Sequence, residues 1–134
     1  MRAVLDAVIE APIGPVPHPR LGTLHAAHPR GRPARSHVRV IEQTGDTFLA
    51  DVVIETGRPH QIRIHLAAAG RPLVGDPLYE VGGVPRAGAT ALPGEGGYVL
   101  HATLLEFAHP SRDTSTAVEC GPPPILRTPP RTRP

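Results

Sequence analysis

The 134-residue sequence predicts an α+β fold, rich in β-strand, with one short helix set between strands. Three observations carry this. Several segments alternate apolar and polar residues with the two-residue period of a half-buried strand. One segment, 60–69, is free of breakers and spaces Ile62, Leu66 and Ala69 at i, i+4 and i+7, as one face of a helix requires. Around these, 14 glycines and 18 prolines, about twice the usual share, cut the chain into short pieces.

In chain order, residues 2–10 alternate well enough for a strand, which Pro12, Gly14, Pro15, Pro17 and Pro19 end. Residues 11–35 then read as a basic loop punctuated by proline and glycine. Residues 36–43 place Val38 and Val40 on one face, and Thr44-Gly45-Asp46 supplies a turn. Residues 47–56 set Phe48, Ala50, Val52 and Ile54 against Leu49, Asp51, Val53 and Glu55, which completes a hairpin. Pro59 suits the first turn of the following helix, Gly70 its C-terminal cap, and Pro72 forbids continuation. Residues 81–97 form a second flexible loop, 98–107 a long strand and 116–120 a short one. No internal repeat is present. Residues 1–120 read as one domain and 121–134 as a tail of proline and arginine, without regular structure beyond local polyproline conformations.

A composition of 40% hydrophobic and 19% charged residues is that of a globular chain. No run approaches the ~20 apolar residues of a membrane span, and residues 1–20 lack the order of a secretory signal. A single cysteine, Cys120, excludes an internal disulfide and argues against a thiolate zinc site. Together these favour the cytoplasm. All fourteen basic residues are arginine, which fits GC-rich coding and equally fits bidentate binding of phosphates. The net charge of +2 demands no nucleic acid, but its distribution is uneven. Between Ala11 and Ile41 there is no acidic residue, while Arg20, Arg30, Arg32, Arg35 and Arg39 share the stretch with four histidines. Such a run is either a solvated loop or the electrostatic footprint of an RNA binder.

The most informative stretch is 55–79, where a strand enters a turn at Gly57 and the helix opens with His60, Gln61 and Arg63. A helix start offers unpaired N–H groups to an anion, and an arginine there grips a carboxylate or phosphate through two parallel bonds. A structural salt bridge with capping side chains accounts for the same residues.

Here Thr56-Gly57-Arg58-Pro59-His60-Gln61-Ile62-Arg63, followed by Gly75-Asp76-Pro77-Leu78-Tyr79, closely resembles the RluA-type family of RNA pseudouridine synthases. Pro12-Ile13-Gly14, Arg32-Pro33-Ala34 with Ser36, and Leu100-His101-Ala102 with His109-Pro110 match further landmarks in family order. The resemblance implies the C-terminal half of the synthase fold, with a mixed, mostly antiparallel sheet. It implies isomerisation of uridine to pseudouridine within RNA, in rRNA or tRNA, with no metal and no cofactor. In the family a catalytic Asp carries the chemistry, an Arg pairs with it, and a Tyr packs on the target base, which must leave its stack. Arg63 matches the pairing Arg, and His60 and Gln61 match the residues that brace the turn. Arg58 joins Arg20, Arg30, Arg32, Arg35 and Arg39 as the RNA-facing set.

Two departures alter the expectation. The family's His-Arg-Leu-Asp run is missing, since the only Leu-Asp is Leu5-Asp6, preceded by Ala3-Val4. Arg63 is therefore expected to await a carboxylate that this chain does not contain. The position of the base-stacking Tyr is Val38. Three readings follow: a truncated synthase inactive by itself, an RNA-binding module without chemistry, or one half of a split enzyme whose separately encoded N-terminal half brings the Asp.

Other constellations carry little. His60 and His65 are five apart, off the i, i+4 zinc spacing, and His25 and His28 have no acid or Cys nearby. Ser36 and His37 point to opposite faces of a strand. The run 94–97 lacks the helix and Lys of a phosphate loop. Cys120 reads as a small hydrophobe and His101 as a satisfied core residue.

Overall fold

A computed structural model describes residues 6–91 and 96–127. Residues 2–5 of the first expected strand, Gly94-Glu95 of the glycine run and residues 128–134 of the tail lie outside the described residues. The chain divides into two compact units, Met1–Val99 and Leu100–Pro134. In the first, the elements run β1 (Ala7–Ile9), β2 (Ile13–His18), β3 (Gly22–Ala27), β4 (Ser36–Thr44), β5 (Thr47–Ile54), α1 (Gln61–Ala68), β6 (Tyr79–Glu80) and β7 (Val84–Pro85). The second holds β8 (Leu104–Ala108) and β9 (Ser115–Glu119). The fold is α+β with one short helix, and every ladder among the described residues is antiparallel.

The hairpin read from residues 36–56 forms as β4 and β5. Thr44 faces Thr47 across the two-residue loop Gly45-Asp46, and β1 adds on the other side to give the order β1-β4-β5. A bulge between Val40 and Glu42 shifts the register partway along.

The basic loop expected over residues 11–35 is instead a second hairpin, β2 paired with β3. Proline is tolerated there because the ribbon has only two strands. The Ile13 N–H points away from β3 to the Arg32 carbonyl at 3.0 Å. By alternation Pro15 and Pro17 face the same way, where no ladder bond needs an N–H. His18 closes the ribbon, its Nδ1 accepting the N–H groups of Arg20 and Leu21 while Nε2 donates to the Arg86 carbonyl at 2.8 Å.

The core lies between this ribbon, the helix and the segment after it. Ile13, Leu24, Ala34, Ile64, Ala67, Leu78, Tyr79 and Ala89 form one buried cluster. Gly83 (φ 73) joins the layers, because a Cβ there would lie 2.9 Å from the Ile64 carbonyl oxygen and 3.0 Å from Ala27 and Ala68. Its own carbonyl accepts the Ala27 N–H, and the Gly82 N–H reaches the Ala67 carbonyl.

The helix is buried nearly all round, yet of the expected apolar stripe only Leu66 is buried. Ile64 and Ala67 enter the core cluster, whereas Ile62 and Ala69 are half-exposed. Gln61, Arg63 and His65 are buried too, which periodicity of apolar residues cannot reveal. Gly70 (φ 82) ends the helix, with its N–H on the Ala67 carbonyl and that of Arg71 on Leu66.

The strand expected over 98–107 begins only at Leu104. Tyr98 is drawn to the Arg63 guanidinium, 4.2 Å from its ring centre, and the Val99 N–H bonds to the Val74 carbonyl. His101 is accordingly half-exposed rather than a core residue. At the start of the loop expected over residues 81–97, β7 turns back to pair with β6 in a small ribbon. The described part of the tail carries one 3-10 turn, Pro124–Leu126, which the fixed φ of Pro124 favours at a helical start. No helix among the described residues is long and apolar enough to cross a membrane.

Candidate functional site

Two polar networks converge on the first turn of α1. In the first, Arg63 Nε donates to Asp76 Oδ2 and Nη2 to Oδ1, both at 2.8 Å, with the two side chains 2% and 1% exposed. Arg63 therefore already has one carboxylate partner within the chain. Asp76 turns inward because its Oδ1 also accepts the N–H groups of Leu78 and Tyr79, folding the 76–79 turn over the helix. Burial alone would raise the Asp76 carboxyl, but the Arg63 bonds and the two backbone donors hold it below the usual carboxylate range. Burial likewise pulls Arg63 down, and Asp76 overrides it, so the guanidinium is held above its ordinary value.

Aromatic rings pack around that guanidinium, Tyr98 at 4.2 Å and Tyr79 at 5.0 Å. The Tyr79 hydroxyl donates to the His25 carbonyl at 2.7 Å, and burial pushes it up to about 12. His60 holds a left-handed backbone (φ 54), a strained conformation for a residue with a side chain. Its Nδ1 accepts from Arg63 Nη1 at 3.3 Å. Burial, then the Arg63 and His25 charges, lower its affinity for a proton.

The second network locks the turn to the sheet. Gln61 Oε1 accepts from the Thr56 hydroxyl at 2.6 Å and from the Arg58 N–H, while Nε2 donates to the Arg35 carbonyl and to Ser36 Oγ, each at 2.9 Å. All four hydrogen-bonding positions of the amide are used. Ser36 Oγ donates to His65 Nδ1 at 2.8 Å, and His65 Nε2 donates to the Ala11 carbonyl at 2.8 Å. The ring is thus neutral, as its burial also favours.

The six arginines proposed to face RNA do not form one stripe. Arg35 lies between Glu10 and Glu55, and Arg39 pairs with Asp51 across the β4–β5 ladder. Arg20 is exposed beyond the turn that His18 caps. Arg30, Arg32 and Arg58 line one cavity of ≈ 550 Å³. Val38 is 4% exposed within β4, between Ala7 and Val52. Asp6 is exposed and accepts the Val40 N–H, a backbone role. Among the described residues no cluster of His, Cys, Asp or Glu is arranged to hold a metal. Sequence reasoning missed Asp76 as the partner of Arg63, and it missed Tyr98. The Gly-Asp-x-x-Tyr spacing signalled the first; nothing near Tyr98 signalled the second.

The first turn of α1 thus holds a buried arginine clamped by a carboxylate and flanked by two aromatic rings. A family model described as RNA pseudouridylate synthase matches residues 6–68. An uncharacterized RNA pseudouridine synthase of Synechocystis is 46% identical over 117 residues, covering 87% of this chain and 40% of its own length. RNA pseudouridine synthase 5 of Arabidopsis thaliana is 40% identical, covering 92% and 40%. Ribosomal large subunit pseudouridine synthase D of Escherichia coli is 42% identical over 100 residues, covering 69% and 30%. The chain belongs to the RluA-type RNA pseudouridine synthase family. It spans 30% to 40% of the length of these relatives.

Proposed function

We propose that the chain serves in the conversion of uridine to pseudouridine in RNA, rRNA or tRNA, as the piece of a synthase that holds the Arg63 end of the active site. The reaction breaks the C1′–N1 bond of the nucleotide and makes a C1′–C5 bond. The C5 proton is lost and N1, which carries none in uridine, gains one, so the change is an isomerisation that consumes no co-reactant. It needs a positioned carboxylate, and an arginine by itself supplies neither nucleophile nor base. The observation that carries the reading is the buried Arg63, fixed by Asp76 and flanked by Tyr79 and Tyr98. Asp76 is itself spent on Arg63 and on two backbone N–H groups, which leaves the reactive carboxylate to a segment carrying a His-Arg-Leu-Asp run, absent from these 134 residues. In this reading residues 1–120 form part of the catalytic domain and 121–134 its tail. The exposed thiol of Cys120 suits a reducing, cytoplasmic compartment.

The test is pseudouridine formation in a uridine-rich RNA, read by mass spectrometry after nuclease digestion. The purified chain should form none. Supplying a segment with the His-Arg-Leu-Asp run in trans should restore activity, and Arg63→Ala should then abolish it. Arg63→Lys keeps the charge and loses the fork, so it should stay far below wild type. Product from the 134 residues alone would overturn the reading. RNA binding with no activity under any complementation would favour a non-catalytic RNA-binding module.

A further inference from the structure

We infer that the cleft lined by Arg30, Arg32 and Arg58 is a built site for one phosphodiester of an RNA backbone with its adjoining sugar, an inference that rests on the RNA-acting reading above. The first support is charge. Arg35, Arg39 and Arg63 each have a carboxylate partner, but Arg30, Arg32 and Arg58 have none among the described residues. No Asp or Glu lines the cavity where these three meet, and half-exposed His25 adds a fourth nitrogen-bearing side chain. Three arginines lining one cavity without a counter-charge leave it electropositive, and a bound anion would lower that potential.

The second support is rigidity. The Ile13 N–H bonds to the Arg32 carbonyl and the Arg32 N–H to the Ile13 carbonyl, at 3.0 and 2.8 Å, which folds the 28–32 turn flat against β2. Only glycine fits at residue 31, since a Cβ there would lie 2.4 Å from the Ile13 carbonyl carbon. His28 Nδ1 accepts the Arg30 N–H at 3.1 Å, and on the opposite wall Arg58 Nε donates to the Pro33 carbonyl at 2.8 Å. The 28–32 backbone and the Arg58 side chain are thus set before any ligand arrives, which lowers the entropic cost of binding. The third support is size. At ≈ 550 Å³ the cleft lies within the usual range for small-molecule sites, and it exceeds what a lone phosphate fills, leaving room for the sugar.

The experiment measures the affinity of the full chain for a fluorescent oligouridylate across a salt series, with Arg30→Gln, Arg32→Gln and the Arg35→Gln/Arg39→Gln pair. The Arg30 and Arg32 side chains make no hydrogen bond among the described residues, so these two variants keep the fold. Each should weaken binding and make the slope of log K against log salt shallower by about 0.7, while the Arg35/Arg39 pair leaves the slope unchanged. A parallel thermal melt in inorganic phosphate, against chloride at equal ionic strength, separates phosphate alone from RNA. RNA binding whose slope ignores Arg30 and Arg32 would overturn the cleft and leave the RNA reading intact. Stabilisation by phosphate that Arg30→Gln and Arg32→Gln remove, without RNA binding, would keep the anion cleft and reject RNA as its source. Absence of both responses would reject the cleft and the RNA reading together.

Discussion

Arg63 and Asp76 show how one buried pair can hold a site together without favouring the fold. Taking both charges out of water costs several kcal/mol, and the two 2.8 Å bonds repay it only while both partners remain. Asp76→Ala should therefore destabilise the chain by about 3–5 kcal/mol in urea unfolding. The double variant Arg63→Met/Asp76→Leu should recover most of that loss; if it unfolds as readily as the single one, the pair stabilises the fold in its own right. His65 makes a second residue-level prediction. Burial holds its folded-state proton affinity below the ordinary value, so the unfolded chain binds the extra proton first as the medium is acidified. Its contribution is complete above about pH 6.5, the unfolded value, and is lost as pH falls through the lower folded value. His65→Gln should flatten the decline of unfolding free energy as the pH is lowered from about 7 relative to wild type. An identical slope in both proteins would show that the Ser36–His65–Ala11 chain is not titrating.

Elements differ in how openly the sequence declares them. The β4–β5 hairpin was legible because alternation and a Gly-Asp turn agree, and helix α1 because Pro59 and Gly70 bracket a run without breakers. The β2–β3 ribbon was hidden by Pro15 and Pro17, whose positions are harmless only on the outward side of a two-stranded pair. Residues 98–103 misled in the other direction, since their apolar alternation yields to the attraction of Tyr98 for Arg63. Of the site, Arg63, His60 and Gln61 were readable from the motif. The pairing with Asp76 and the convergence of Arg30, Arg32 and Arg58 depend on chain reversals that no local pattern encodes. The contrast between tolerant and intolerant positions can be measured. Pro15→Ala should change stability by no more than about 0.5 kcal/mol, because the residue is exposed and gives up no ladder bond. Gly83→Ala should cost about 1–3 kcal/mol, since it combines a left-handed backbone with contacts near 3 Å on the helix and β3. Equal stability of the two variants would mean that the turn between β6 and β7 relaxes freely.

At the scale of the whole molecule, the apolar surface left uncovered sets behaviour in solution. In the second unit Leu105 faces Val118 across the β8–β9 pair, and Phe107 lies two residues along the same face. These side chains are 62%, 52% and 43% exposed. A two-stranded ribbon is marginal in water unless its apolar face is covered. In the first unit β5 is an edge strand, and Val53 and Ile54 near its end are also exposed. Asp51 and Glu55 flank them, and such charges protect an edge from pairing with another chain. The ribbon face is therefore the stronger driver of association, since Leu105, Phe107 and Val118 share it with Thr116 and no charge, Glu106 and Glu119 falling on the opposite face. The purified chain should self-associate in a concentration-dependent way when followed by sedimentation velocity. Leu105→Lys should shift it toward monomer without lowering the stability of the first unit, because the side chain it replaces is mostly in water. Val53→Lys should change the association little. A chain that sediments as a monomer at every concentration up to the millimolar range would show that the ribbon face is already satisfied, and the argument from exposed apolar surface would fail.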